Sequence, residues 1–253
     1  MSIWGKVVGV AAGLALGGPL GAIIGLAGGH VYDRMRGGET GGGGMAPAFG
    51  HVTEDQKRQA FAVGVIVLCA KMAKADGQVT RDEIDAFKRI FRVAPEDAAK
   101  VGSLFDEARK DAGGFEPYAR QLGALFRNNK AVLEELLAGL CVIAMADGVL
   151  HPDEQRFLER VALQFDLPDA SVERIMATHI RLDDAPDPYK VLGVTREMSD
   201  DELKSAYRKL VRDHHPDRLV AQGMPDEFID QATEKLATIN ASWDRIEKER
   251  GLN

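Results

Sequence analysis

Three patterns of apolar and polar positions succeed one another along the chain. From Val7 to Gly29, VVGVAAGLALGGPLGAIIGLAGG, no residue is charged. As a helix at ~1.5 Å per residue this run reaches roughly 35 Å, against about 30 Å for a bilayer core. Between residues 51 and 180 apolar residues recur at helical spacing, in long apolar stretches (61–74 and 131–145), each followed by an amphipathic one. Beyond residue 199 the pattern becomes two amphipathic helices. The first, SDDELKSAYRKLVRDHH, carries Leu203, Tyr207, Leu210 and Val211 on one face. The second, PDEFIDQATEKLATINASWDRIEKER, carries Phe228, Ala232, Leu236, Ile239, Trp243 and Ile246. Every pattern has the helical period, so the chain is expected to be all-α.

Glycines subdivide the first pattern. They fall at 5, 9, 13, 17, 21, 25 and 29, an unbroken four-residue period. On a helix they form one slowly drifting stripe, which lets two backbones approach closely in lipid. In water it is unfavourable by roughly 1 kcal/mol per glycine. Residues 1–36 are therefore read as a transmembrane segment that self-associates through Gly9, Gly13, Gly17, Gly21 and Gly25. A cleaved signal peptide and a glycine-rich surface tail are the competing readings. Lys6 flanks one side and Arg34 and Arg36 the other, so charge sets no orientation. Residues 37–50, GGETGGGGMAPAFG, read as a flexible linker.

Residues 51–182 contain a repeat. Ala75-Asp76-Gly77 through Glu83 matches Ala146-Asp147-Gly148 through Glu154 at an offset of 71, and Phe87 and Ile90 match Leu158 and Val161. Each turn explains itself. Gly77 and Gly148 suit the left-handed conformation that ends a helix. Thr80 with Glu83 forms a capping box. Pro152 suits a first helical position, with Asp153 and Glu154 at the positive end. The His-Pro-Asp at 151–153 is thus read as a helix start. An EF-hand would place Asp76 and Glu83, and equally Asp147 and Glu154, in a calcium loop. Its first and third positions would then be Met72 and Lys74, or Ile143 and Met145, none of them a carboxylate. No metal site is expected, and the acidic turns Asp76, Glu83, Asp147 and Glu154 stay open to another role.

A formal net charge of −7 argues against a general nucleic-acid binder. The two cysteines, Cys69 and Cys141, lie in apolar runs without metal spacing and read as buried free thiols of a reducing compartment.

The second His-Pro-Asp differs from the first in its surroundings. Ser199 with Glu202 is a capping box opening a helix on which Lys204, Arg208 and Arg212 make a basic stripe with Lys209 beside it. Pro216 ends that helix, so His215-Pro216-Asp217 is expected in an exposed loop between two antiparallel helices. With DPYKVLGV at 187–194, YRKLVRDHHPD and IN-x-x-W, this set resembles the J domain of DnaJ-type co-chaperones across residues 186–253. Trp243 stands where tyrosine is usual, and the loop DRLVAQGMPDE departs from the commonest one.

The resemblance implies a helical hairpin with a short flanking helix. It implies binding to a DnaK-type chaperone and stimulation of its ATP hydrolysis. His215, Pro216 and Asp217 would make the essential contact, and Lys204, Arg208, Lys209 and Arg212 would dock on an acidic surface. The protein would be no enzyme and need no cofactor. As a general base His215 would lack a nucleophile, metal cluster or phosphate-cradling loop. The doubled Ala-Asp-Gly turns across roughly 55–180 resemble the tellurite-resistance TerB-like family, which implies an all-α domain and no defined activity.

Transmembrane segment, TerB-like domain and J domain, in this order, resemble the DjlA family of membrane-anchored bacterial co-chaperones. That implies a single-pass inner-membrane protein with its soluble domains in the cytoplasm, homodimeric through the membrane helix. The chain has neither the Gly/Phe-rich segment nor the CxxC repeats of a full DnaJ. The alternative is a stress-response adaptor whose TerB-like domain binds a metal or other ligand, the J domain being secondary.

Overall fold

The structure, a computed structural model, describes Ile3 and residues 54–76, 81–110, 114–179 and 186–252. The glycine stripe, the linker 37–50 and the turn Gly77–Thr80 lie outside the described residues. Among the described residues every regular element is helical.

Two apolar helices form the centre. In α1 (Glu54–Asp76) all residues from Ala60 to Ala73 are buried, and in α5 (Lys130–Ala144) nearly all are. A helix apolar all round must be covered on every side. The cover comes from α2 (Arg81–Ile90), α3 (Pro95–Lys110), α4 (Glu116–Leu125), α6 (Pro152–Gln164) and α7 (Asp169–His179). The sequence repeat appears as a shared cover. The helix after the first turn, α2, packs on α5, and the helix after the second, α6, packs on α1. Helix α6 packs on α5 as well, so it covers both central helices. Two glycines permit the close crossings. A Cβ at Gly64 would stand 2.5 Å from Leu122, and one at Gly123 would stand 2.5 Å from the Gln164 carbonyl.

The second turn is built as its sequence suggests. Gly148 has φ +88°. Pro152 opens α6, and the His151 amide donates to Glu154 Oε2 at 2.9 Å. The first His-Pro-Asp is therefore a helix start.

The C-terminal unit comprises α8 (Pro188–Leu192), α9 (Asp200–Asp213), α10 (Pro216–Ala221), a 3₁₀ turn (Asp226–Phe228) and α11 (Ile229–Arg250). The DPYKVLGV stretch is architectural. Asp187 caps α8 by accepting from the Tyr189 amide, Pro188 opens it, and Gly193 ends it at φ +64°. Tyr189 and Leu192 then pack with Leu203, Ile239, Trp243 and Ile246 in a small core between α8, α9 and α11. Tyr207 stacks on Trp243, ring centroids 4.7 Å apart and nearly parallel, so the tryptophan fills the place expected for tyrosine.

The loop that departs from the commonest J-domain sequence has a purpose here. Leu219, Met224, Phe228 and Ala232 leave the small core and join the core of the central unit. The Phe228 ring meets Phe61 and Phe91 at 4.6 and 4.7 Å between centroids. Arg92 pairs with Asp230, and Gln231 Nε2 donates to the Glu135 carbonyl at 3.0 Å. At Gly223, φ is +98° and a Cβ would lie 2.8 Å from Lys57 Cβ, so the loop passes α1 where only glycine fits.

Candidate functional site

Helix α9 starts from the expected capping box. Ser199 Oγ accepts from the Glu202 amide, and Glu202 Oε2 accepts from the Ser199 amide at 2.8 Å. The helix runs to Asp213, and the chain turns at His214 before Pro216 starts α10. Here the expectation of a plain loop is corrected. His215-Pro216-Asp217 is the N-terminus of a short helix, with His215 as its cap and Pro216 in first position. Proline's missing N–H and preset φ suit that place. His215 Nδ1 accepts from the Asp217 amide at 3.3 Å. The His215 side chain is half exposed and that of Asp217 is 94% exposed, so both are open to a partner.

An open cleft of about 430 Å³ lies alongside, lined by Tyr207, Arg208, Val211, Arg212, His215, Asp217 and Arg218. The fold thus brings Arg208 and Arg212 to the tripeptide. Lys204 and Lys209 are exposed on the same helix outside the lining, and Pro216 is half-buried.

Asp213 organises this edge. Its carboxylate receives Lys209 Nζ at 2.8 Å and Arg218 Nη1 at 2.8 Å, with Arg212 Nε at 3.8 Å. Burial raises its pKa, but the Lys209 contact with Arg218 and Arg212 outweighs this and holds it below the usual carboxylate range. Sequence reasoning missed Asp213, Arg218 and the buried His214. The first two flank the tripeptide within four residues, and that proximity was the available signal.

The acidic turns are arranged differently. Glu83 and Glu154 sit at equivalent positions of α2 and α6, both buried. Asp147 is exposed, its Oδ1 accepting from the Val149 amide at 2.9 Å and its Oδ2 3.5 Å from His151 Nε2. Asp76 falls in the last turn of α1, where only the backbone is described. Glu83 lines an apolar cavity of about 400 Å³ between α1, α2 and α3 with Cys69, Phe87, Phe105 and Ile143. Burial first, and Glu83 second, raise the Cys69 thiol pKa; burial and Glu154 push Cys141 up to about 12. Both cysteines are free and buried.

Comparison with known proteins matches each part. Residues 1–47 match the family model described as the co-chaperone DjlA transmembrane domain, 62–177 that of tellurite resistance protein TerB, and 187–250 that of the DnaJ domain. These matches define the class, a membrane-anchored J-domain co-chaperone. Relatives named "Co-chaperone protein DjlA" align over the whole chain. The one from Photobacterium profundum is 30% identical over 99% of this chain and 100% of its own length. That from Vibrio vulnificus is 29% identical and that from Yersinia pestis 27%, each over 100% of both chains. The chain belongs to the DjlA co-chaperone family. No solved structure matches it.

Proposed function

We propose that the C-terminal unit docks on a DnaK-type chaperone and stimulates its ATP hydrolysis. His215, Pro216 and Asp217 make the essential contact. Lys204, Arg208, Lys209 and Arg212 attract an acidic surface, giving fast, salt-sensitive, transient association. The observation that carries this reading is the exposed tripeptide at the start of α10, with Arg208 and Arg212 in the same cleft. The anchor comprises residues 1–36 and the linker 37–50. The central domain spans 51–182 and the J domain 186–253. We place the soluble domains in the cytoplasm at the bacterial inner membrane, where ATP and the chaperone are found. Gly9, Gly13, Gly17, Gly21 and Gly25 pair two copies.

The test is the single-turnover ATPase rate of a DnaK-type chaperone with the full chain in detergent, beside His215→Gln and His151→Gln. Stimulation is expected from the wild type and from His151→Gln, and is lost in His215→Gln. No stimulation by the wild type would overturn the reading.

A further inference from the structure

The residue before the tripeptide points the opposite way from it. His214 is 2% exposed, whereas its neighbour His215 is half exposed. His214 Nδ1 lies 2.9 Å from Glu135 Oε1, and Nε2 lies 3.1 Å from Glu134 Oε2. Both carboxylates belong to α5, the central helix of the other unit. Each ring nitrogen thus meets one buried carboxylate. Two such contacts fix the ring in place and orientation.

The carboxylates are held in turn. Arg174 of α7 pairs with Glu134, and Lys235 of α11 lies 2.8 Å from Glu135 Oε1 and 3.7 Å from Glu134 Oε2. Burial raises the pKa of both carboxyls. For Glu134 the His214 hydrogen bond with Lys235 and Arg174 outweighs that, and for Glu135 it is Lys235 with His214. Close by, burial and the Lys235 charge push the pKa of half-buried His179 down to about 4.

Such a cluster is weak evidence of stability, because desolvating charges offsets most of their attraction. Its position is more telling. The His214 amide donates to the Leu210 carbonyl at 2.9 Å, ending α9, and the His215 carbonyl accepts from the amides of Arg218 and Leu219, starting α10. Leu219 is fully buried in the core of the central unit. The tripeptide is therefore pinned immediately before and shortly after, both times to the central unit, while His215 and Asp217 face outward.

We propose that His214 is a positioning residue for the chaperone contact: clasped by Glu134 and Glu135, it ties the start of α10 to the TerB-like unit, which thereby holds the tripeptide ready for its partner. This rests on the co-chaperone reading above. A contact ordered beforehand loses less conformational freedom on binding, so the tie acts on affinity rather than on the stimulated rate.

The experiment uses the full chain in detergent, spin-labelled at Leu163→Cys and Ser205→Cys, both exposed, one on each unit. His214→Gln leaves Glu134 with Arg174 and Glu135 with Lys235, so each buried carboxylate keeps a cation. Glu135→Gln is the second variant, outside the J domain. In wild type the label distance is expected to be narrowly distributed. In either folded variant it broadens, and the concentration giving half-maximal ATPase stimulation rises roughly three- to tenfold with the maximum retained. A distribution as narrow as wild type, an unchanged half-maximal concentration, or a loss of the maximum alone would overturn the proposal. Stronger stimulation by the variants would too, since it would make the docked arrangement inhibitory. If the wild type does not stimulate at all, the co-chaperone reading falls, and the distance distributions still judge the tie.

Discussion

At the scale of residues, adjacent side chains have opposite fates. His214 is sealed between two carboxylates, and His215 faces solvent at a helix cap. Two residues differing by one step in sequence point apart because the chain turns at His214 between α9 and α10. The buried cluster has a consequence for acid stability. Burial raises the Glu135 pKa, but Lys235 and His214 more than offset it and bring it from 4.5 to about 2. The unfolded chain therefore binds this proton more readily than the folded one. The stabilisation it supplies is complete above about pH 4.5 and is lost as pH falls toward 2. Urea midpoints of the wild type are expected to fall across that window. In Glu135→Gln the fall is shallower, from a stability lower at neutral pH by about 3–5 kcal/mol, the usual cost of breaking a buried pair. Equal slopes would show that Glu135 is not the responsible carboxyl.

At the scale of elements, the loop between α10 and α11 joins the two units. Its sequence looked like a minor departure from a family pattern, yet it sinks Met224 into the neighbouring core, beside Leu219 of α10 and Phe228 of the 3₁₀ turn. Phe228→Ala should cost about 3–5 kcal/mol by urea denaturation of the full chain, as for other large core truncations. A cost near zero would mean that the loop rests on the central unit without being packed into it. Much of the element structure was legible beforehand. The capping box at Ser199, the proline start at Pro152, and the apolar faces of α9 and α11 are local signals, and local backbone chemistry produces them. The start of α10 was misread as loop because proline was taken only as a terminator, although it also suits a first helical position. The loop's burial was illegible, since its apolar residues are too few and too widely spaced to show a period.

At the scale of the whole molecule, two different media matter. In water, the J domain is held on the TerB-like unit by packing and a buried ionic cluster. In lipid, the glycine stripe is expected to bring two copies together. That stripe lies outside the described residues, and membrane crosslinking can test it. Gly17→Leu with Gly21→Leu should reduce the crosslinked dimer several-fold, because larger side chains keep the backbones apart. Unchanged crosslinking would refute pairing through this face.

The sequence by itself determined what depends on nearest neighbours and on period: the helical class, the repeat at an offset of 71, the caps at Ser199 and Glu202, and the helix start at His151-Pro152-Asp153. It also carried the family, because J-domain motif residues are contiguous or one helical turn apart. Only the tertiary structure decided that α2 packs on α5 and α6 on both central helices, that Trp243 stacks on Tyr207, and that His214 reaches Glu135, 79 positions away in sequence. Those facts depend on which surfaces meet when apolar faces leave water. A residue's partner across such a contact is chosen by the packing of whole helices and leaves no periodic trace in the chain around it.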